Sequence, residues 1–167
     1  MNIAAIVAQL ELQTSWFLNA LQGLSEEESN IPFDENVNPI KWVAGHLTDS
    51  RLTVFSLLSG QPIHPEYKKN FGKGTPNKLS DNFPSLEQIK DDWRAASSQL
   101  ITMLQSLPEE FLLSKPPFQT SIPDETLLGL VAFFTIHESF HIGQISVSRK
   151  LIGKQPMSMG RATNPIK

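Results

Sequence analysis

Two histidines four residues apart, His137 and His141, carry the clearest chemical signal in the chain. On a helix this spacing leaves them about 40° apart, so both project from one face. Leu127, Leu130, Phe133, Phe134, Gln144, Ile145, Leu151 and Ile152 share that face, so the pair is expected to point into an apolar interior. Burying two imidazoles there costs free energy unless both find partners. A divalent cation satisfies both at once through neutral ring nitrogens. The run His137-Glu138-Ser139-Phe140-His141 also matches HExxH, the zinc-peptidase pattern in which the Glu is the general base. The rest of the chain disfavours a peptidase. The 26 residues after His141 contain no Asp, Glu or His, and such enzymes take their third ligand from downstream.

A third ligand therefore has to come from upstream, where two histidines remain. His64, between Ile63 and Pro65, reads as a solvated loop residue. His46 shares one helical face with Trp42, Val43, Asp49 and Thr53, and a helix holds a ligand more rigidly than a loop. Gly45 beside it lets a neighbour approach closely. Asp49 lies one turn from His46, and Gln144 one turn from His141. Either is placed to fix a ligand tautomer, or is simply a helix-surface carboxylate and a buried amide. Glu138 lies about 100° from His137 and about 60° from His141. It is either a base at the pocket edge or a solvated or interhelical carboxylate. Lys68, Lys69 and Lys73 read as a solvated loop face or as an attractor for an anionic cosubstrate. Three neutral imidazoles leave a zinc ion its double charge and an open position. The chain has no cysteine, so any sulfur nucleophile must arrive as a substrate.

Four segments have helical periodicity, about 2–22, 39–59, 85–106 and 124–152, and none alternates as a strand does. Gly23 ends the first, Pro39 opens the second, and Gly60 and Pro62 come after it. Ser85 with Gln88 forms a capping-box pattern for the third. The fourth opens on Pro123-Asp124-Glu125 and closes on Arg149, Lys150 and Gly153, charges that suit the helix dipole. The expected fold is a single all-α domain over 1–167, a four-helix bundle with an irregular tail at 153–167. The connection 60–84 is far longer than a hairpin link needs, which allows the second and third helices to lie parallel. It is expected to pack on the body through Tyr67, Phe71 and Phe83. It either rims an opening near His46 or contacts a second copy in a homodimer.

Composition narrows the classes. The 167 residues carry 14 Lys plus Arg against 17 Asp plus Glu, a net charge of −3, which argues against a nucleic-acid partner. No stretch approaches the ~18 apolar residues of a membrane span. The first residues mix Gln and Glu into their apolar pattern and lack a basic start, unlike a secretory leader. Without cysteine, a reducing cytoplasm is compatible.

Trp42-x3-His46-Leu47-x-Asp49, taken with His137-Glu138-x2-His141-x-Gly143-Gln144, resembles the DinB-like, YfiT-like superfamily of metalloenzymes. Phe71-Gly72 and the stretch from Ile145 through Arg149-x-Leu151-Ile152-Gly153 add to the resemblance, which spans the whole chain. It implies a bundle running up-down-down-up and a metal, zinc or nickel, held by His46, His137 and His141. Relatives include S-transferases and isomerases that use low-molecular-weight thiols. The implied function is a metal-dependent enzyme acting on a small molecule, as a thiol-dependent transferase or a hydrolase. The alternative is a non-catalytic, stress-related metal-binding bundle.

Overall fold

The computed structural model describes residues 3–34, 37–62, 64–72, 74–75 and 83–160. Among them the chain forms seven helices: α1 (Ile3–Leu21), α2 (Glu26–Ser29), α3 (Ile40–Ser59), α4 (Pro65–Phe71), α5 (Leu86–Ser106), α6 (Glu109–Leu112) and α7 (Leu127–Leu151). The only β pairing among the described residues is an isolated bridge between Asp34 and Val37. The four long helices fall where the periodicity places them, and the three short ones lie in the connections.

Helix ends obey local chemistry. The Ser85 hydroxyl accepts from the Gln88 N–H at 3.1 Å, but the Gln88 side chain donates onward to Asp92, so only half of the expected capping box forms. Gly60 closes α3 with φ at 71°, a left-handed conformation that glycine adopts without strain. α7 starts three residues later than Pro123-Asp124-Glu125 suggests. Thr126 is its cap, accepting from the Gly129 N–H at 2.9 Å. The Asp124 carbonyl folds back over Gly129, where a Cβ would lie 2.3 Å from it.

The core has two apolar clusters separated by a polar layer. One holds Phe17, Leu21, Ile40, Leu47, Phe71, Ile89, Trp93, Ile142 and Ile145. The other holds Val7, Leu10, Val54, Leu58, Leu100, Leu104, Leu128 and Val131. α1 and α7 thus run from the second cluster to the first, whereas α3 and α5 run the opposite way, an up-down-down-up order. Each long helix packs against two others: α1 on α5 and α7, and α3 on α5 and α7.

Arg51 fills the layer between the clusters. It is fully buried and touches all four long helices. Its Nε and Nη2 donate to the two carboxylate oxygens of Glu138, each at 2.8 Å. Its Nη1 donates to Thr14 Oγ1 at 2.6 Å and to Ser97 Oγ, and its Nη2 to the Leu10 carbonyl at 3.1 Å. The guanidinium lies 3.8 Å from the Trp93 ring centroid. This bidentate pair sets the register of antiparallel α3 and α7. Glu138, which its sequence position alone allows as a pocket-edge base, instead has both oxygens committed to Arg51 in the core.

The connection after α3 carries α4, which packs on α3 with Tyr67 and Phe71 buried. The Tyr67 hydroxyl donates to Asp92 at 2.6 Å. Part of this segment therefore does lie beside His46. Ile63, Lys73 and 76–82 lie outside the described residues, so the reading of Lys73 does too. The tail leaves α7 and runs back along α1, where Trp16 and Asn19 donate to the carbonyls of Met159, Ser158 and Gly160. Among the described residues no helix is long and apolar enough to cross a membrane.

Candidate metal centre

Because Glu138 points to Arg51, the rest of α7 is turned so that His137 and His141 face the groove against α3. His46, five residues before Arg51, meets them there. One ligand nitrogen from each of the three histidines lies within 4.8 Å of the others. The His46 and His137 Nε2 atoms are 3.2 Å apart, and the His141 ring centroid is 5.0 Å from that of His46 and 4.4 Å from that of His137. All three rings are half-buried. They do not reach the interior as their apolar neighbours suggest, because Glu138, Ile142 and Ile145 occupy the core-facing stripe of α7 and the histidines flank it.

Two of the rings have fixed tautomers. His46 Nδ1 lies 2.7 Å from the Phe71 carbonyl, which can only accept, so Nδ1 carries the proton. His141 Nδ1 donates in the same way to Gln144 Oε1 at 2.6 Å. Each Nε2 is left with its lone pair free, and that of His46 lies 3.2 Å from His137 Nε2. His137 is then unsatisfied whichever nitrogen is protonated. With the proton on Nε2 it can donate to His46, but its buried Nδ1 has no partner. With the proton on Nδ1, three lone pairs converge. A cation takes up all three, so the residues fit a metal ion, and neutral nitrogens are what such an ion binds.

The electrostatics agree with neutral ligands. Burial, with smaller contributions from His141 and His46 nearby, pushes His137 down to about 3. Burial, with a contribution from His46, also lowers His141. Both folded values lie below the unfolded one, so the unfolded chain binds more protons as pH falls below about 6.5. Metal-free protein is therefore expected to lose stability steadily from about pH 6.5 to 5, above the range where carboxylates titrate. Urea midpoints at pH 7 and pH 5 should show the loss, and His137→Gln should show a smaller one. An equal loss in both would contradict this assignment.

Around the triad, Trp42 stacks on His46 with centroids 5.2 Å apart. Phe134 meets His137 edge-on at 5.8 Å. Asp49 is buried one turn from His46, and its Oδ1 has no hydrogen-bond partner. Burial raises its pKa, opposed by Lys68, His46 and His64. Gln144 is exposed at the rim. His64 caps α4 and rests against Tyr67 at 5.4 Å, apart from the triad.

Two further residues support the triad, one carried by no motif in the sequence and one expected there to pack on the body. Arg51 sits on the core face with Leu47, Val54 and Leu58, and a charge in that stripe was its signal. The other is Phe71, whose ring packs so tightly on Gly45 that a Cβ there would lie 2.4 Å from it. That contact is what brings the Phe71 carbonyl to His46. Gly45→Ala is therefore expected to cost about 1–3 kcal/mol and to weaken metal binding together with stability. Parallel denaturation and metal titration would check this, and unchanged affinity would show that the Phe71 contact does not tune His46.

Among solved structures, a conserved protein from Enterococcus faecalis is similar in fold, with a TM-score of 0.71 at 16% identity over 92% of this chain and 99% of that one. No curated protein matches the chain in sequence. The sequence pattern described as the DinB superfamily matches residues 9–145, a span that contains the three histidines and Arg51. With the helical bundle and the histidine triad in place, that match over most of its length makes the chain a member of the DinB superfamily.

Proposed function

We propose that this protein is a metal-dependent enzyme that binds zinc or nickel through His46, His137 and His141 and acts on a small molecule, as a thiol-dependent transferase or a hydrolase. The observation that carries the reading is the half-buried triad, its ligand nitrogens within 4.8 Å of one another, with two tautomers held so that their Nε2 lone pairs are free. Three protein ligands suit a catalytic site, whereas structural zinc is normally closed by four. A cation so held supplies Lewis acidity to a thiol or a water molecule near neutral pH.

The chain's own residues do the rest. Phe71 and Gln144 hold the ligand tautomers from behind. Trp42 and Phe134 keep two of the ligand rings in place. Asp49, buried one turn from His46 with burial raising its carboxyl above the usual carboxylate range, is the group we assign to proton exchange there. The absence of cysteine requires the thiol to be a cosubstrate. The test is a screen of zinc- and nickel-loaded protein for loss of free thiol, with low-molecular-weight thiols and small electrophiles, alongside a panel of hydrolysable esters and amides. Turnover by wild type that His137→Ala abolishes supports the reading. Metal-loaded protein inert in both screens favours the alternative, a non-catalytic, stress-related metal-binding bundle.

A further inference from the structure

Of the six charged side chains that are buried among the described residues, five have their charge matched or bonded. Arg51 and Glu138 hold each other, Lys41 and Lys90 hold glutamates, and Arg149 donates to backbone carbonyls. The sixth is Asp49, 3% exposed, whose Oδ1 has no hydrogen-bond partner. One turn further along α3, Thr53 Oγ1 is buried and unpartnered as well. A helical Ser or Thr ordinarily escapes that cost by donating to the carbonyl one turn back. Thr48 and Ser50 of the same helix do so, to Ala44 and His46. Thr53 does not. Two adjacent oxygens beside the metal centre are thus each left with the desolvation cost of an unmade bond.

The two border one gap. At positions i and i+4 their Cβ atoms stand about 5–6 Å apart on one side of the helix, yet the side chains do not bond each other. A donor group set between them serves both. Cations surround Asp49 without touching that oxygen. Lys68, His46 and His64 lie near enough to favour its charged form, but none of them donates to Oδ1. A carboxylate out of water needs a counter-charge in contact. Thr53 follows His46 by seven residues, shares its side of α3 and is half-buried. The gap is therefore approached from the groove that holds the triad. Along the helix it lies about 5–10 Å from His46, the rise over three to seven residues. Resting on the thiol-dependent reading above, we propose that Asp49 and Thr53 form the subsite for a protonated primary amine on the substrate. A thiol held at the triad then carries an ammonium group about 5–10 Å from its sulfur, and that group donates to Asp49 Oδ1 and Thr53 Oγ1. An ammonium has three donors and a full charge, and so answers both deficits. A hydroxyl or a water molecule there satisfies the hydrogen bonds but leaves the carboxylate unpaired. Asp49 thus positions the substrate in addition to exchanging a proton near His46.

Binding, rather than turnover, tests this. Nickel-loaded protein is titrated with unbranched aminobutanethiol and with mercaptobutanol, which differ only in an ammonium against a hydroxyl at the far end of the chain. The sulfur-to-nickel charge-transfer absorption gives each Kd. Wild type is expected to bind the aminothiol about tenfold more tightly, the usual worth of a hydrogen bond to a charged group. Asp49→Asn should remove the preference, and Thr53→Val should reduce it about threefold, with nickel content checked by elemental analysis. Equal affinity of wild type for the two thiols overturns the subsite and leaves the metal-dependent reading standing, as does a preference that survives Asp49→Asn. If Asp49→Asn no longer holds nickel, Thr53→Val decides, and an unchanged preference there overturns the proposal. Nickel-loaded wild type that binds neither thiol overturns the thiol-dependent reading, and the subsite with it.

Discussion

Glu138→Ala is expected to remove about 3–5 kcal/mol of stability, a large part of the ~5–15 kcal/mol that holds a domain of this size folded. Arg51 and Glu138 are both essentially inaccessible to water. Deleting the carboxylate leaves a guanidinium buried without its counter-charge, between two apolar clusters that admit no solvent. The partner substitution separates that penalty from the net worth of the pair. In Arg51→Met/Glu138→Leu both charges are gone. Thr14 and Ser97 lose only a donor to their hydroxyls, since each already donates to its own helix, at Leu10 and Trp93. The double variant should therefore regain most of the lost stability. Urea unfolding of both variants provides the comparison. A loss below about 1 kcal/mol for Glu138→Ala would contradict the clamp. Because the same pair aligns His46 with His137 and His141, the double variant should still bind metal more weakly than wild type although it is stable.

Zinc or nickel is expected to raise the melting temperature of metal-free protein, because the triad exists only in the folded chain. With free cation at 100 times its Kd, linkage gives about 2.7 kcal/mol, or about 5–10 °C for a chain of this length. His137→Ala should abolish the increment, as should His46→Ala and His141→Ala. His64→Ala should leave it intact, because His64 stands apart on α4. Scanning calorimetry with and without cation reads the effect. An increment that survives His137→Ala would place the ion elsewhere.

The bundle and the triad could be read from the chain because both depend on local spacing. Apolar period marks the long helices, and the i, i+4 histidines share a face wherever α7 is placed. His46 was then the upstream histidine on a helix. What could not be read depends on contacts across the fold. Whether Glu138 faces the core or the groove is decided by Arg51, 87 positions away in the chain. The Phe71 carbonyl reaches His46 only because Gly45 admits the ring. The start of α7 at Thr126 is set by Asp124 folding over Gly129. α2, by contrast, carries a local signal in its own residues. Ser25 and Glu28 form a reciprocal capping box, and Glu26 reaches the Leu86 N–H and Lys41 to tie α3 and α5 together.

The proposed function rests on three histidines from two helices holding one metal ion. Elemental analysis decides whether they do, on protein purified without metal-affinity resin and dialysed against zinc and then, separately, nickel. One ion per chain is expected for wild type in at least one of the two, and none for His137→Ala. Wild type that retains neither metal, or His137→Ala that retains one ion per chain, would contradict it.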